Sequence, residues 1–471
     1  MRPYDFGKGR WVFIDWLGVE PGYGTKWPEK EKSERAGMQG EPSLGYCVPE
    51  GIRLKVHTPD VVPEFAIPLD RPWEKGMAAY ATFLEDNGRF RCWYEYFDGM
   101  AYAESEDGAH WVKPNLGQWE FNGSTANNIL DFGIHGASVF IDPSAPDSER
   151  YKMVGCLWTK DEKAVIGAVF PDGVHWTPLS EPVLRHHHAD TQSICLFDPS
   201  LGRYVLYTRQ MDGVMQRRGV NRSVSEDFRH FPPSEPVVEC NPFDPPDWDI
   251  YCNGYSKWPG AAAHIMRLSV YKHTSDTINV HLATSRDGVR WHRPQGTMPW
   301  IDGGPSHSDP YPSVYACAGI LPTAPGEWST YIGVAHLAHN EPQERLARPA
   351  GILRVRMRAH GFMSLSSESR GEFWTIPFTL DSDAIHLNTK TRYSGFVRAE
   401  ILASSGGRTG AETADNRPIA GYSLEEGVPI TGDYLDAPLA WKDGHRLDKL
   451  RGRTVRLHFV LYKADLYAMR F

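Results

Sequence analysis

The chain has 471 residues, 41% hydrophobic and 23% charged, enough for one large domain and a second with ordinary cores. Its formal net charge is −9 and no basic stripe occurs, which excludes the phosphate-neutralising surface of a nucleic-acid binder. The N-terminal "MRPYDFGKGRWVFIDWLG" has no apolar leader and no stretch of about 18 apolar residues occurs, so no membrane partner is expected and the chain as it stands reads as cytoplasmic. Seven cysteines, Cys47, Cys92, Cys156, Cys195, Cys240, Cys252 and Cys317, stand singly without metal-ligand spacing, as small buried hydrophobes of a reducing compartment do. Aromatics reach 12%, which suits a protein that stacks flat apolar faces on sugar rings.

Residues 1–70 hold a strand, "WVFIDWLGV", and a loop-rich flap, "PEKEKSERAGMQGEPS". They are expected to pack on the domain that follows. In "AYATFLEDNGRFRCWYEYF" (79–97) one strand ends at Leu84, "EDNG" turns, and a second alternates Phe90, Cys92 and Tyr94 with polar neighbours, which is a hairpin. "GASVFIDPSAPDSERYKMVGCLW" and "DTQSICLFDPSLGRYVLYTR" repeat that plan with an Asp-Pro turn before an Arg-Tyr strand. "YSKWPGAAAHIMRLSVYKH" and "PSVYACAGILPTAPGEWSTYIGVAH" supply two more units before about residue 370.

The units are punctuated by "SEDGAHW", "FPDGVHW", "SEDFRHF" and "SRDGVRW", with Asp107, Asp172, Asp227 and Asp287 at near-regular intervals, and by a degenerate fifth echo, "MRAHGFMSLS". Each Asp is expected to cap its own turn, with Gly at positive φ and the aromatic ring wedged against the sheet. Repetition of this size, with four strands per unit, predicts an all-β chain: a five-bladed β-propeller over 71–370 followed by a C-terminal β-sandwich over 371–471.

In such a ring the residues ahead of each inner strand converge on one funnel. They are Glu74, His135, Asp190, Asp249 and Asp309, mostly carboxylates; Asp15 is held in reserve for the first blade. Arg209, Arg71, His188 and His336, with His339 of the same kind, are candidate partners of carboxylates or hydroxyls. Trp73, Trp248 and Tyr251 are candidate stacking platforms. The run His186–His187–His188 invites a metal reading, but alternate side chains of an extended segment diverge, so no metal ligand is assigned. No cofactor is implied; a structural calcium on the axis is compatible with the acids, although no ligand loop announces one.

A five-unit propeller with acidic strand entrances followed by a sandwich resembles the five-bladed propeller glycoside hydrolases, the invertase-like and arabinanase-like families. Through "RPWE", "YAESEDGAHW", "EFNGSTANNI", "DPSAPDSERYKMV" and "WKDG" the chain also resembles, over nearly its whole length, an uncharacterised bacterial group related to them. The invertase-like Trp-Met-Asn-Asp-Pro signature and an Arg-Asp-Pro triplet are absent, and Glu239-Cys240 is the one dipeptide similar to that family's acid motif. The resemblance implies a glycosidase that removes a terminal sugar, a furanoside among the options, from an oligo- or polysaccharide. Asp190 would serve as base or nucleophile and Asp249 as acid, with Asp309 or Glu74 tuning them. The alternatives are a non-catalytic carbohydrate-binding propeller and a sialidase-like or phosphorylase-like enzyme. A carbohydrate is the expected partner, and the oligomeric state is left open.

Overall fold

The computed structural model describes residues 3–7, 9–20, 49–96, 99–130, 133–158, 162–211, 213, 216–303, 311–342, 345, 348–404 and 418–471; Cys47 and Asp309 lie outside them. Regular structure is nearly all β, with helix confined to single turns such as Asp147–Glu149. Among the described residues no helix is long and apolar enough to cross a membrane. The chain divides into two compact units, one of residues 1–57, 259–262 and 359–471, the other of residues 58–258 and 263–358. Residues 1–57 thus belong to the first unit and residues 58–70 to the second. Arg53–Val56 pairs with Met363–Trp374 in the first of these units, whereas Asp60–Pro68 pairs with Gly351–Arg358 in the second.

The larger unit is a series of antiparallel sheets. The first holds Ala81–Asp86, Arg89–Tyr96 and Gly99–Ser105; the second His135–Ile141, Tyr151–Trp158, Lys163–Phe170 and Thr177–Pro178; the third Ile194–Asp198, Arg203–Gln210, Gly219–Ser225 and Glu235–Val238. An eight-stranded sheet follows, from Trp248–Lys257 through Thr277–Ser285 to Ser313–Ala316, Glu327–Ala335, Gly351–Arg358 and Asp60–Pro68. Its two halves are joined by a parallel pairing at Ile278 and Ser313, so each half is itself antiparallel. The hairpins form where the sequence supplies their turns: Asn87 and Gly88 both take positive φ in "EDNG". Phe90, Cys92 and Tyr94 are buried as the alternation predicts, but so is Trp93 between them, because both faces of this sheet are covered.

The Asp turns behave as punctuation. Oδ1 of Asp107, Asp172, Asp227 and Asp287 accepts the backbone N–H groups two and three residues on, at 2.7–2.9 Å. In three of the four a glycine carbonyl then accepts a donor from a neighbouring sheet: Gly108 from Tyr331 at 2.6 Å, Gly173 from Trp93 at 2.7 Å and Gly288 from Tyr207 at 2.7 Å. The fourth turn has Phe228 instead of glycine, and its ring packs on Phe140 and Tyr204. The fifth echo is no such turn; it runs from the end of Gly351–Arg358 into Met363–Trp374 and links the two units.

At the same ends of the sheets as these turns, a second set of acids binds each sheet to the next. Asp86 takes Arg150 and Tyr151, Asp142 takes the Tyr204 hydroxyl at 2.6 Å, and Asp198 takes Lys257 Nζ at 2.7 Å. Burial pushes each carboxyl up, but the hydrogen bonds from Arg150 and Tyr151, from Ser144 and Tyr204, and from Lys257 and Ser200 outweigh it and hold all three below the usual range. The same ends of the first strands share a cavity of about 240 Å³ whose lining includes Leu84, Phe140, Leu196, Lys257 and Ile320. Between strands, the Gln192 amide donates to the carbonyls of Ala81 and Ala137 at 3.1 and 2.9 Å, and Ala318 N donates to Ala81 O at 2.8 Å.

The other unit is built on one seven-stranded sheet in which Met363–Trp374 and His386–Ala403 flank Thr454–Arg470. Phe373, Val397, Ile401, Leu457, Phe459 and Leu461 bury its inner face together with Phe6 and Trp11. The described cysteines are all buried and unbridged.

Candidate functional site

The other ends of the first strands carry a closed circuit of polar side chains. Asp190, just before Ile194–Asp198, is ion-paired with Arg209, whose side chain is 0% exposed. Arg209 Nε and Nη2 also donate to Tyr251 O at 3.1 and 2.8 Å, and its guanidinium lies 4.3 Å from the centre of the Tyr251 ring. On the same ring, at 5.4 Å, lies Arg218, which holds Asp249 through Nε at 2.9 Å and through its backbone N–H at 3.0 Å. His273 Nε2 lies 2.8 Å from Asp249 Oδ2, the oxygen that Arg218 Nε also holds.

From His273 the circuit passes by ring contacts through Tyr271 and His339 to Tyr315, whose hydroxyl lies 2.7 Å from His339 Nδ1. Tyr80 packs on Tyr315 and edge-on to His135, and its hydroxyl reaches that of Tyr251 at 3.4 Å. His135 closes the loop: Nε2 sits 3.1 Å from Asp190 O, and Nδ1 sits 2.5 Å from Glu95 Oε1. Glu95 is fixed in turn by Gly136 N–H at 2.7 Å.

Local sequence explains the placement. Arg209, Glu95, Tyr271 and His273 fall at or just past the ends of second strands, next to the starts of first strands that carry His135, Asp249 and Tyr251. Antiparallel pairing brings these ends together: Asp249 opposes Tyr271 in register. Burial pushes the phenols of Tyr80 and Tyr315 well above their ordinary value and Tyr271 up to about 12, so all three are hydroxyl donors at neutral pH. Burial lowers His339 to about 4, leaving it neutral there. Asp190 remains the accessible acid, with 30% of its side chain exposed against 7% for Asp249.

Of the residues expected from sequence, Asp190, Asp249, Arg209, Tyr251, His135 and His339 meet in this circuit. Glu74 does not. Its side chain is 0% exposed and takes Lys113 Nζ at 2.6 Å, the backbone N–H groups of Asp70 and Arg71 at 3.0 Å, and the Tyr94 hydroxyl. Trp73 stays with that cluster, donating to Asn128 Oδ1 at 3.1 Å, and Arg71 is exposed beside Asp70. Trp248 turns its ring to Lys272 and His281. His336 joins Tyr311 and Arg348. His188 faces Lys163 while His187 faces Thr208, so these two side chains diverge, although the run is not the extended segment expected, since His186 takes a φ of +52°. Asp15 belongs to the smaller unit, where it caps Leu17 N at 2.9 Å. Asp309 lies outside the described residues.

Glu95, Arg218, His273, Tyr80, Tyr271 and Tyr315 were not expected. A search of second-strand ends, and not only first-strand starts, finds Glu95 and Tyr271 in the sequence. Glu239, of the Glu-Cys dipeptide, accepts from the Gln210 amide at 3.0 Å, one residue past Arg209. Among the described residues no group of three or more His, Cys, Asp or Glu side chains converges as for a metal ion.

No protein-family model matches the sequence, and no curated protein matches it. Several solved structures are similar to the chain. An N-acetylgalactosamine deacetylase from F. plautii, in complex with blood group B trisaccharide, is 14% identical over 66% of this chain and 97% of that one, with a TM-score of 0.45. A β-1,2-mannobiose phosphorylase from Listeria innocua is 13% identical over 64% of this chain and 96% of that one, with a TM-score of 0.44. A thermostable family-43 glycoside hydrolase is 12% identical over 62% and 90%, with a TM-score of 0.41.

Proposed function

We propose that the chain is a glycoside hydrolase that removes a terminal sugar from an oligo- or polysaccharide at the Asp190–Arg209–Tyr251 circuit. In this reading the sheets of the larger unit are the five blades of a propeller, and the long bent strands of the smaller unit build a β-sandwich. One observation carries it: Asp190, the most exposed carboxylate of the circuit among the described residues, is fixed by a buried guanidinium beside phenols that stay protonated. That arrangement suits an oxocarbenium-like transition state, since a preorganised negative charge faces the sugar.

Asp190 is the base or nucleophile, taking a proton from water or forming a bond to the anomeric carbon as the glycosidic bond breaks. Both oxygens of Asp249 are engaged by Arg218 and His273, so Asp249 fits the positioning of Arg218 and Tyr251 better than proton donation. The Glu95–His135 pair is the proton source for the leaving oxygen. A screen of chromogenic furanosides and pyranosides tests the class. Asp190→Asn is expected to abolish turnover while sugar binding persists, and Glu95→Gln to lose far less rate on substrates with activated leaving groups than on natural glycosides. Absence of turnover on every glycoside sinks the reading.

Phosphorolysis is the second reading, favoured by Arg218, which keeps 25% of its side chain exposed over the Tyr251 ring. It predicts that cleavage requires inorganic phosphate and releases a sugar 1-phosphate.

A further inference from the structure

The smaller unit has a feature that its fold does not need. Within the pairing of His386–Ala403 with Thr454–Arg470 the register jumps between Thr391, opposite Ala464, and Phe396, opposite Tyr462. Four residues, 392–395, thus stand against Lys463 alone. The bulge is strained on both strands, since Ser394 and Lys463 have φ of +58° and +46° without being glycine. It is also closely packed at its base, where a side chain at Gly395 would meet the carbonyls of Lys463 and Tyr462 at 2.6–2.7 Å. Its product is Tyr393, 95% exposed and thrust out of the sheet. Bulges re-aim side chains, and a flat aromatic ring held bare at such a cost is a platform rather than part of a core.

Beside it is a groove of about 560 Å³ whose lining includes Tyr393, Thr391, Thr431, Phe396 and Arg398. Arg392 is spent within the protein, on Asp465 at 3.2 Å and on Ser367 O. Arg398 is not: its guanidinium lies 5.6 Å from the centre of the Phe396 ring, and its Nε is buried without a hydrogen-bond partner among the described residues. A guanidinium that lines an open groove and pairs with no carboxylate among the described residues calls for an anionic acceptor.

We infer that this groove is a second carbohydrate site, separate from the Asp190 circuit, that takes an acidic glycan. A uronate ring stacks on Tyr393, and its carboxylate is received by Arg398. The inference stands whether or not the Asp190 circuit is catalytic, because it is read by binding alone.

Calorimetric titration of the full chain with a galacturonic acid tetramer and with a neutral galactose tetramer tests it. The acidic tetramer is expected to bind at least about tenfold more tightly than the neutral one. Tyr393→Ala, which touches no core, should remove one site's worth of binding to it with the melting temperature unchanged. Arg398→Gln should bring the affinity for the acidic tetramer down to that for the neutral one. Equal binding by the wild type and Tyr393→Ala, or a neutral tetramer bound as tightly as the acidic one, overturns the proposal. So does absence of any binding.

Discussion

The two ends of the first strands carry the same residue type to opposite purposes. At one end Asp86, Asp142 and Asp198 are sealed, each taking donors from the following sheet. At the other end Asp190 and Glu95 keep part of their surface open and take their partners from Arg209 and His135. A carboxylate whose oxygens are all engaged by the fold can only hold sheets together. One gripped from a single side by a buried cation is oriented yet still able to meet a substrate.

Removing charge at each end separates the two purposes. Asp190→Asn should lower the kcat of the folded fraction by about 10³-fold or more, roughly 4 kcal/mol of transition-state stabilisation, and should also lower the denaturant midpoint because the buried Arg209 loses its charged partner. Asp86→Ala should cost stability alone, about 3–5 kcal/mol of unfolding free energy because Arg150 and Tyr151 lose their acceptor, while the folded fraction keeps its kcat. Urea titration with parallel rate measurements on both variants checks this difference. If Asp86→Ala abolishes kcat without destabilising the fold, the comparison fails.

Acid should weaken the fold in two stages. Burial lowers His264, His281 and His339 to about 4, below their unfolded value of about 6.5, so the stability they contribute is complete above that value and is lost as the pH falls towards 4. The lowered carboxyls of Asp86, Asp142 and Asp198 contribute stability present above about pH 4 and lost as the pH falls through their folded values. Thermal melts from pH 8 to pH 3 should show a decline that begins below about pH 6.5 and a further one below about pH 4. The smallest effect belongs to the turns: Asp287→Ala, which removes two hydrogen bonds to backbone N–H groups, should cost about 1–2 kcal/mol.

Much of this was legible without coordinates. Hairpin turns and Asp turns are satisfied within a few residues, so "EDNG" and "SRDGVRW" announce their geometry directly. Asp190 and Asp249 were also found, because strand starts can be read and one end of a sheet series collects them. Glu74 has the same chain position as these acids, and nothing near it in sequence reveals that Tyr94 and Lys113 will enclose it. Nothing in the sequence around Arg218 and His273 shows that they meet on Asp249. In the smaller unit, only the partner strand shows that "TKTRYSGF" lies within one continuous strand that bulges at Tyr393.

By itself the sequence determined the all-β character, the repeating turns and the supply of acids at strand entrances, since these depend on φ preferences, alternation and hydrogen bonds spanning two or three residues. Tertiary structure alone decided which acids are sealed and which stay open, because a carboxylate's exposure and charge partners are set by side chains that arrive from other sheets, tens of residues away.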